Sequence, residues 1–331
     1  MNSPVKNLGD MRERPLSSNV PLVLTIVVPC YNEEEVFPDC LLRLRQVLSQ
    51  LRENGKISER SCLLFVDDGS RDQTWQLISA AHRRYDDVHG LKLSRNRGHQ
   101  RALWAGLEHA DSDITVSIDA DLQDDIQVIG KMVDAYLSGK DIVYGVRENR
   151  DTDTVFKRNT ALCFYKLMKI LGVNQIENHA DFRLLSARAL KSLLSYTEEN
   201  IYIRGLVPLV GFQTEQVFYS RGSRLAGESK YPLRKMLGLA LEGITSLSIT
   251  PLRIIAFTGF AISLLSFLTA IYALAEKILG STVEGWTSVM IAIFFLGGIQ
   301  MLSIGIIGEY IGKVYLEVKH RPKYIVDEYL Q

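Results

Sequence analysis

The chain has 331 residues, and its 38 Lys and Arg are balanced by 38 Asp and Glu. Zero formal charge leaves no global electrostatic case for a nucleic-acid partner. Hydrophobic content of 47% and charged content of 23% are ordinary for a globular protein, but the average hides a split between a mixed, charged first two-thirds and a last third with two long apolar runs. The length suits one large domain with extra elements, or two domains. Cys30, Cys40, Cys62 and Cys163 show no CxxC spacing, so they read as reduced, mostly buried residues of a cytosol-facing domain.

The first residues, Met1 to about Asn19, are polar, carry Arg12 and Arg14, and have no apolar h-region. Residues 1–21 therefore read as a flexible leader and not a secretory signal. Leu22–Val28 is a short, mostly β-branched run ending at Pro29, a buried strand. Cys30-Tyr31-Asn32-Glu33-Glu34-Glu35 follows, and then apolar residues from Val36 to Leu51 fall at helical spacing. Cys62–Val66 is a second strand, leading into Asp67-Asp68-Gly69-Ser70-Arg71-Asp72 and a helix at Thr74–Ala81. A brief strand at Leu91–Leu93 precedes Ser94-Arg95-Asn96-Arg97-Gly98-His99-Gln100 and a helix through Ala102 and Leu107. Ile114–Ile118 is the fourth strand, Ile126–Leu137 a helix, Asp141–Tyr144 a fifth strand and Ala187–Leu194 an amphipathic helix. Alternating strands and helices predict a largely parallel sheet with helices on both faces. Ligands of such sheets bind beyond the carboxyl ends of the strands, where the polar clusters fall.

The acidic turn after the fourth strand, Ser117-Ile118-Asp119-Ala120-Asp121-Leu122-Gln123-Asp124, is the sharpest chemical signal. Two carboxylates separated by one small residue repel unless a cation or water lies between them. Asp119, Asp121 and the neutral oxygen of Gln123 make a hard-oxygen set suited to Mg²⁺ or Mn²⁺, held together with substrate phosphates. Arg147, Arg150, Lys157 and Arg158 form a basic patch further on. The loop Arg221–Tyr231 is glycine-rich and basic, with Arg224 and Lys230.

From Leu233 an apolar stripe through Leu247 predicts an amphipathic helix in the membrane interface at 232–250. Ile254–Ala275 and Thr287–Gly308 are each long enough to cross a bilayer, at roughly 22 residues, with Trp286 as an interfacial anchor. They define a two-span hairpin at 251–313 and a tail at 314–331. Lys230, Arg234, Lys235 and Arg253 precede the spans and Lys313, Lys319, Arg321 and Lys323 follow them, while Lys277 alone lies between. The positive-inside rule then puts both termini and the α/β domain in the cytoplasm, as a multi-pass protein of the inner membrane.

Val27-Val28-Pro29-Cys30-Tyr31-Asn32-Glu33-Glu34, Val66-Asp67-Asp68-Gly69-Ser70, Asn96-Arg97-Gly98 and Asp119-Ala120-Asp121-Leu122-Gln123, in this order, resemble family 2 glycosyltransferases. With Asp181-Phe182-Arg183-Leu184, Gly227-Glu228-Ser229-Lys230-Tyr231 and the pair of spans, the chain resembles the polyprenyl-phosphate branch. That branch includes dolichol-phosphate mannose synthases and bactoprenol glucosyltransferases. The resemblance implies a GT-A, Rossmann-like, mostly parallel α/β domain at 22–231, followed by the interfacial helix and two transmembrane helices. It implies a nucleotide pocket of Pro29, Tyr31, Glu33, Val66, Asp67, Asp68, Asp119 and Ala120, and a metal on Asp121 and Gln123, with Asp119 shared. It implies phosphate binding, of donor or lipid acceptor, by Arg147, Arg158, Arg224 and Lys230.

Asp121, Asp181 and Arg147 are the expected catalytic residues. Asp181 is open between orienting the acceptor, pairing with Arg183 or another arginine, and acting as a base. The implied reaction is inverting, metal-dependent transfer of a hexose, with UDP-glucose favoured, to polyprenyl (undecaprenyl) phosphate. Mannose, galactose, N-acetylhexosamine and aminoarabinose are alternatives, as is a non-catalytic sugar-nucleotide binding subunit. The transmembrane pair also offers a surface for homo-oligomer contacts.

Overall fold

A computed structural model describes residues 21–147, 179–220, 245, 248–278 and 285–331. The chain divides into two compact units. Among the described residues the first holds one eight-stranded sheet in the order β7-β5-β6-β4-β1-β2-β3-β8. Its strands are β1 Leu24–Cys30, β2 Cys62–Asp67, β3 Val88–Leu93, β4 Ile114–Ser117, β5 Ile142–Arg147, β6 His179–Ser186, β7 Thr214–Tyr219 and β8 Val326–Leu330. The helices are α1 Phe37–Glu53, α2 Thr74–Arg84, α3 His99–His109, α4 Val128–Leu137, α5 Ala187–Leu194 and α6 Ile203–Leu209.

β1 is buried along its whole length, as its almost wholly apolar composition, broken only by Thr25, suits a central parallel strand. It pairs in parallel with β2 and β4, β2 pairs in parallel with β3, and β5 pairs in parallel with β7. Two strands break the pattern. β6 runs antiparallel between β4 and β5, and β8 runs antiparallel along β3. Because β6 is reversed, its first residues lie beside the last residues of β4 and β5: Ser117 faces Arg183, and Val146 faces His179. That reversal brings Asp181 to the edge where the parallel strands end. α3 packs close to β1 and β2 because residue 106 is glycine. A Cβ there would lie 2.8 Å from Val66 Cγ2.

Residues 314–331, read from sequence as a tail, include β8. After the two apolar runs the chain returns to the eight-stranded sheet and closes the β3 edge. Ser94 N donates to Ile325 O at 2.9 Å, Lys92 pairs with Asp327 at 2.8 Å, and Trp75 Nε1 donates to Glu328 at 3.1 Å. On α3, Tyr324 Oη donates to Glu108 at 2.6 Å and Lys323 Nζ sits 4.1 Å from the Trp104 ring centre.

The second unit contains α7 Thr250–Ile278 and α8 Trp286–Val318. Thr250–Thr269 and Phe295–Val318 have mean hydropathies of 1.8 and 1.3, and neither stretch is buried. Both are long enough to cross a bilayer. Tyr310 Oη donates to Ser248 O at 2.6 Å and ties α8 to the start of α7. The interfacial helix expected at 232–250 lies almost wholly outside the described residues, and so do the leader and Arg158, Arg224 and Lys230.

Two outcomes follow from these contacts. A chain ending at Arg321 exposes the β3 edge and is expected to melt at least about 3 °C lower in differential scanning calorimetry. An unchanged transition would mean β8 contributes nothing. Gly69 has φ 68, and a methyl group on its Cα would meet the Arg95 carbonyl carbon at 2.6 Å. Gly69→Ala should therefore cost at least ~1 kcal/mol in denaturant unfolding, and a neutral result would contradict that tight turn.

Candidate active site

The strands β1 to β4 all deliver their following turns to one edge, and side chains lace these turns together. After β1, Asn32 N donates to Ser70 Oγ at 3.0 Å and Asn32 Oδ1 accepts from Arg71 N at 2.9 Å. Thr74 Oγ1 accepts from Glu33 N at 2.9 Å, and Asp72 accepts from Glu34 N at 3.1 Å while capping its own helix at Thr74 N, 3.0 Å. Asp68 uses both carboxylate oxygens on the turn after β3, accepting from Arg97 N at 2.7 Å and Gly98 N at 2.8 Å. Asp67 is fully buried and accepts from Ser70 N at 3.3 Å. Burial pushes both carboxyls up, and these N–H bonds oppose the shift. Tyr31, by contrast, is 41% exposed at this edge, available to stack on a planar ligand.

The acidic turn after β4 is held by its own side chains and by a left-handed residue, Leu122, at φ 44. Gln123 is buried, its Nε2 donating to Asp121 Oδ2 at 2.8 Å and its backbone N–H to Asp121 Oδ1 at 3.3 Å. Asp124 is buried and accepts from Arg147 Nε at 3.0 Å and Nη2 at 2.8 Å. Arg147, expected on phosphate, is thus already engaged with a carboxylate and keeps 30% side-chain exposure.

Asp181, on β6, is the most heavily bonded carboxylate of the site. It is 4% exposed, with Arg183 Nη2 at 2.6 Å and Arg204 Nη2 at 3.0 Å. Arg204 Nε adds a bond at 3.2 Å, Gln100 Nε2 one at 3.4 Å and His99 Nε2 lies at 3.3 Å. Burial works to raise this carboxyl, but His99, Arg204 and Arg183 overrule it and hold it well below the usual range. Of the three roles open to Asp181 in the sequence, the geometry realises pairing with Arg183 and with a second arginine. A carboxylate so stabilised as an anion is a poor proton acceptor.

Asp119 differs. Its Oδ1 is buried without a hydrogen bond, and His99 Nε2 lies 3.5 Å away. Burial pushes its carboxyl up to about 6; Asp181, Asp124 and Asp121 add to that and His99 opposes it. An orphaned carboxylate oxygen in a crowd of carboxylates is the arrangement a divalent cation relieves. His99, Asp119 and Asp181 offer ligand atoms within 4.8 Å of one another. Asp121 Oδ2 and the Gln123 amide belong to the same turn, so the donor set expected from sequence fits Mg²⁺ or Mn²⁺ chemistry, with one imidazole added.

Sequence reasoning placed Pro29, Tyr31, Glu33, Val66, Asp67, Asp68, Asp119, Ala120, Asp121, Gln123, Arg147 and Asp181, and all fall at or next to the ends of β1, β2, β4, β5 or the start of β6. It missed His99, Gln100 and Arg204. The first two stand in the polar string after β3, a usable signal. Arg204 interrupts the apolar run Ile201–Val207, which also could have flagged it.

Residues 25–194 match the family model for glycosyl transferase family 2, and residues 250–314 match that for the GtrB C-terminal hairpin. The glycosyltransferase YkoT of Bacillus subtilis is 54% identical over 92% of this chain and 91% of its own length. A bactoprenol glucosyl transferase of Shigella phage SfV is 40% identical over 92% and 97%. Among solved structures, the mannosyltransferase PcManGT of Pyrobaculum calidifontis, in complex with GDP-Man and Mn²⁺, covers 89% of this chain and 85% of its own at 16% identity and TM-score 0.48. With a family match over six of the eight strands and relatives collinear over nearly its whole length, the chain belongs to glycosyl transferase family 2 and is a glycosyltransferase of the GT-A fold that carries a GtrB hairpin.

Proposed function

We propose that the protein transfers a hexose, with glucose from UDP-glucose favoured, to a polyprenyl phosphate such as undecaprenyl phosphate at the cytoplasmic membrane face. The carrying observation is the union on one chain of a family 2 catalytic region and a GtrB hairpin, collinear at 40% identity with bactoprenol glucosyl transferases. Two apolar helices suit an acceptor whose chain stays in the bilayer while its phosphate rises to the site. Two spans return the chain to the side it left, and β8 belongs to the catalytic sheet. The excess of Lys and Arg on both flanks of the hairpin supports a cytoplasmic location for both flanks.

In this reading the catalytic domain is 22–231 completed by β8 from the C-terminal segment, the interfacial helix is 232–250 and the hairpin 251–313. Pro29, Tyr31, Glu33, Val66, Asp67, Asp68, Asp119 and Ala120 form the nucleotide pocket. Asp68 shapes it by gripping Arg97 and Gly98, and exposed Tyr31 stacks on the base. Asp119, Asp121 and Gln123, with His99, would hold Mg²⁺ or Mn²⁺, whose chemistry is neutralisation of a leaving diphosphate. A lipid phosphate is already anionic, so the attack needs no general base. What it needs is charge compensation between two anions. Arg147, Arg158, Arg224, Lys230 and, from the geometry, Arg204 supply it. Asp181 orients Arg204 and takes no proton.

Membranes containing the protein, given labelled UDP-glucose and undecaprenyl phosphate, should form label in lipid, and more than with other nucleotide sugars. Label with none of a panel of donors would defeat the reading, and preference for another donor would reassign the sugar. Asp121→Asn should reduce turnover at least about 100-fold; wild-type turnover would remove Asp121 from the site. Asp181→Asn leaves Arg183, which is 1% exposed, without its carboxylate. It should cost ~3–5 kcal/mol of stability in denaturant unfolding, and an unchanged midpoint would contradict a buried pair.

A further inference from the structure

We infer that Gln100 is a positioning residue that holds Arg204 where a phosphate can reach it. The inference rests on the reading above of hexose transfer to a lipid phosphate and names a residue which that reading does not use.

Gln100 is the second residue of α3, just after Gly98 at φ 90. Its two amide ends are committed to different elements. Oε1 accepts from Ile203 N at 3.1 Å, and Nε2 donates to Asp181 Oδ2 at 3.4 Å. Those partners fix which end is oxygen and which is nitrogen. Ile203 opens α6, and Tyr202 before it supplies no side-chain cap, so the backbone N–H is satisfied from another helix. Arg204 is the next residue. Its Nε and Nη2 bond the two oxygens of the same Asp181, at 3.2 and 3.0 Å. Gln100 therefore grips both the backbone that carries Arg204 and the carboxylate that Arg204 grips.

The side-chain type is constrained by this closed circuit. It needs one acceptor for an N–H and one donor for a carboxylate, at the reach of a glutamine. Glutamate would set a second carboxylate against Asp181, lysine would offer nothing to Ile203, and asparagine is a methylene too short.

Arg183 and Arg204 share Asp181 but differ in access. Arg183 is 1% exposed and Arg204 33%. Arg183 thus belongs to the scaffold, whereas Arg204 keeps Nη1 outside the Asp181 pair and presents a guanidinium edge to ligand. A guanidinium so oriented recognises phosphate by paired N–H donors. The phosphate is either the donor's diphosphate or the lipid's monophosphate, and kinetics separate the two.

The test is a double-mutant cycle on the full chain in membranes, with Gln100→Met, Arg204→Ala and the double variant. Methionine keeps the length and removes both hydrogen bonds. KM for nucleotide sugar, KM for polyprenyl phosphate and kcat are measured for each, with melting temperature alongside. Gln100→Met should raise one KM about tenfold and leave the other within about twofold. Arg204→Ala should raise the same KM, and the double variant should be no worse than Arg204→Ala. Movement in the nucleotide-sugar KM assigns Arg204 to the diphosphate, and movement in the lipid KM assigns it to the acceptor. Effects that multiply in the double variant, wild-type kinetics in Gln100→Met, or equal shifts of both KM values with a lowered melting temperature would each overturn the inference. If the wild-type chain moves no label to lipid, the parent reading fails instead. The cycle is then read from the affinity for UDP, where a multiplicative double variant still overturns the positioning role and a non-additive one supports it.

Discussion

The catalytic edge depends on one buried carboxylate that cannot stand alone. Asp181 is out of water, and an uncompensated charge there would be prohibitive. The fold answers with Arg183 from the same strand, Arg204 from α6, and His99 and Gln100 from α3. Satisfying that single group draws three elements to one place. It also fixes the orientation of the guanidinium that stays open to ligand. The pair contributes arrangement more than net stability, since breaking such a pair costs far more than forming it gains.

The same logic, run with different partners, separates the remaining acids. Asp124 is answered by Arg147, and Asp68 by two backbone N–H groups. Asp119 has a buried oxygen without a hydrogen bond. An edge rich in carboxylates suits an anionic ligand only if cations stand between the two, and the carboxylate left with a buried oxygen lacking a hydrogen bond is Asp119 of the Asp-Ala-Asp turn. Catalytic charge balance and folding thus constrain the same side chains.

Much of this was legible in the sequence. Short, mostly apolar runs such as Leu22–Val28 and Ile114–Ile118 point to the buried parallel strands found there, and the spacing of Asp119, Asp121 and Gln123 points to a hard-oxygen donor set. Two antiparallel strands were not legible. β6 contains a motif, Asp181-Phe182-Arg183, whose charges hide a buried strand until they are paired with each other. β8, Val-Asp-Glu-Tyr-Leu, reads as a polar tail because an edge strand shows one face to water. The residues that hold this returning segment, Trp75, Lys92, Trp104 and Glu108, lie more than 200 residues earlier, a separation like the 253 between Trp75 and Glu328, and no local pattern reports such pairings. Gln100 and Arg204 were missed for a related reason. Each carries ordinary chemistry, and only their meeting at Asp181 gives it a use.

The central claim is that the acidic edge accepts a nucleoside diphosphate through a divalent cation. Isothermal titration of UDP into the full chain, with Mn²⁺ or Mg²⁺ and again with a chelator, tests it most directly. The account predicts affinity at least about tenfold higher with the cation, and loss of that difference in Asp119→Asn. Equal affinity with cation and with chelator would contradict it.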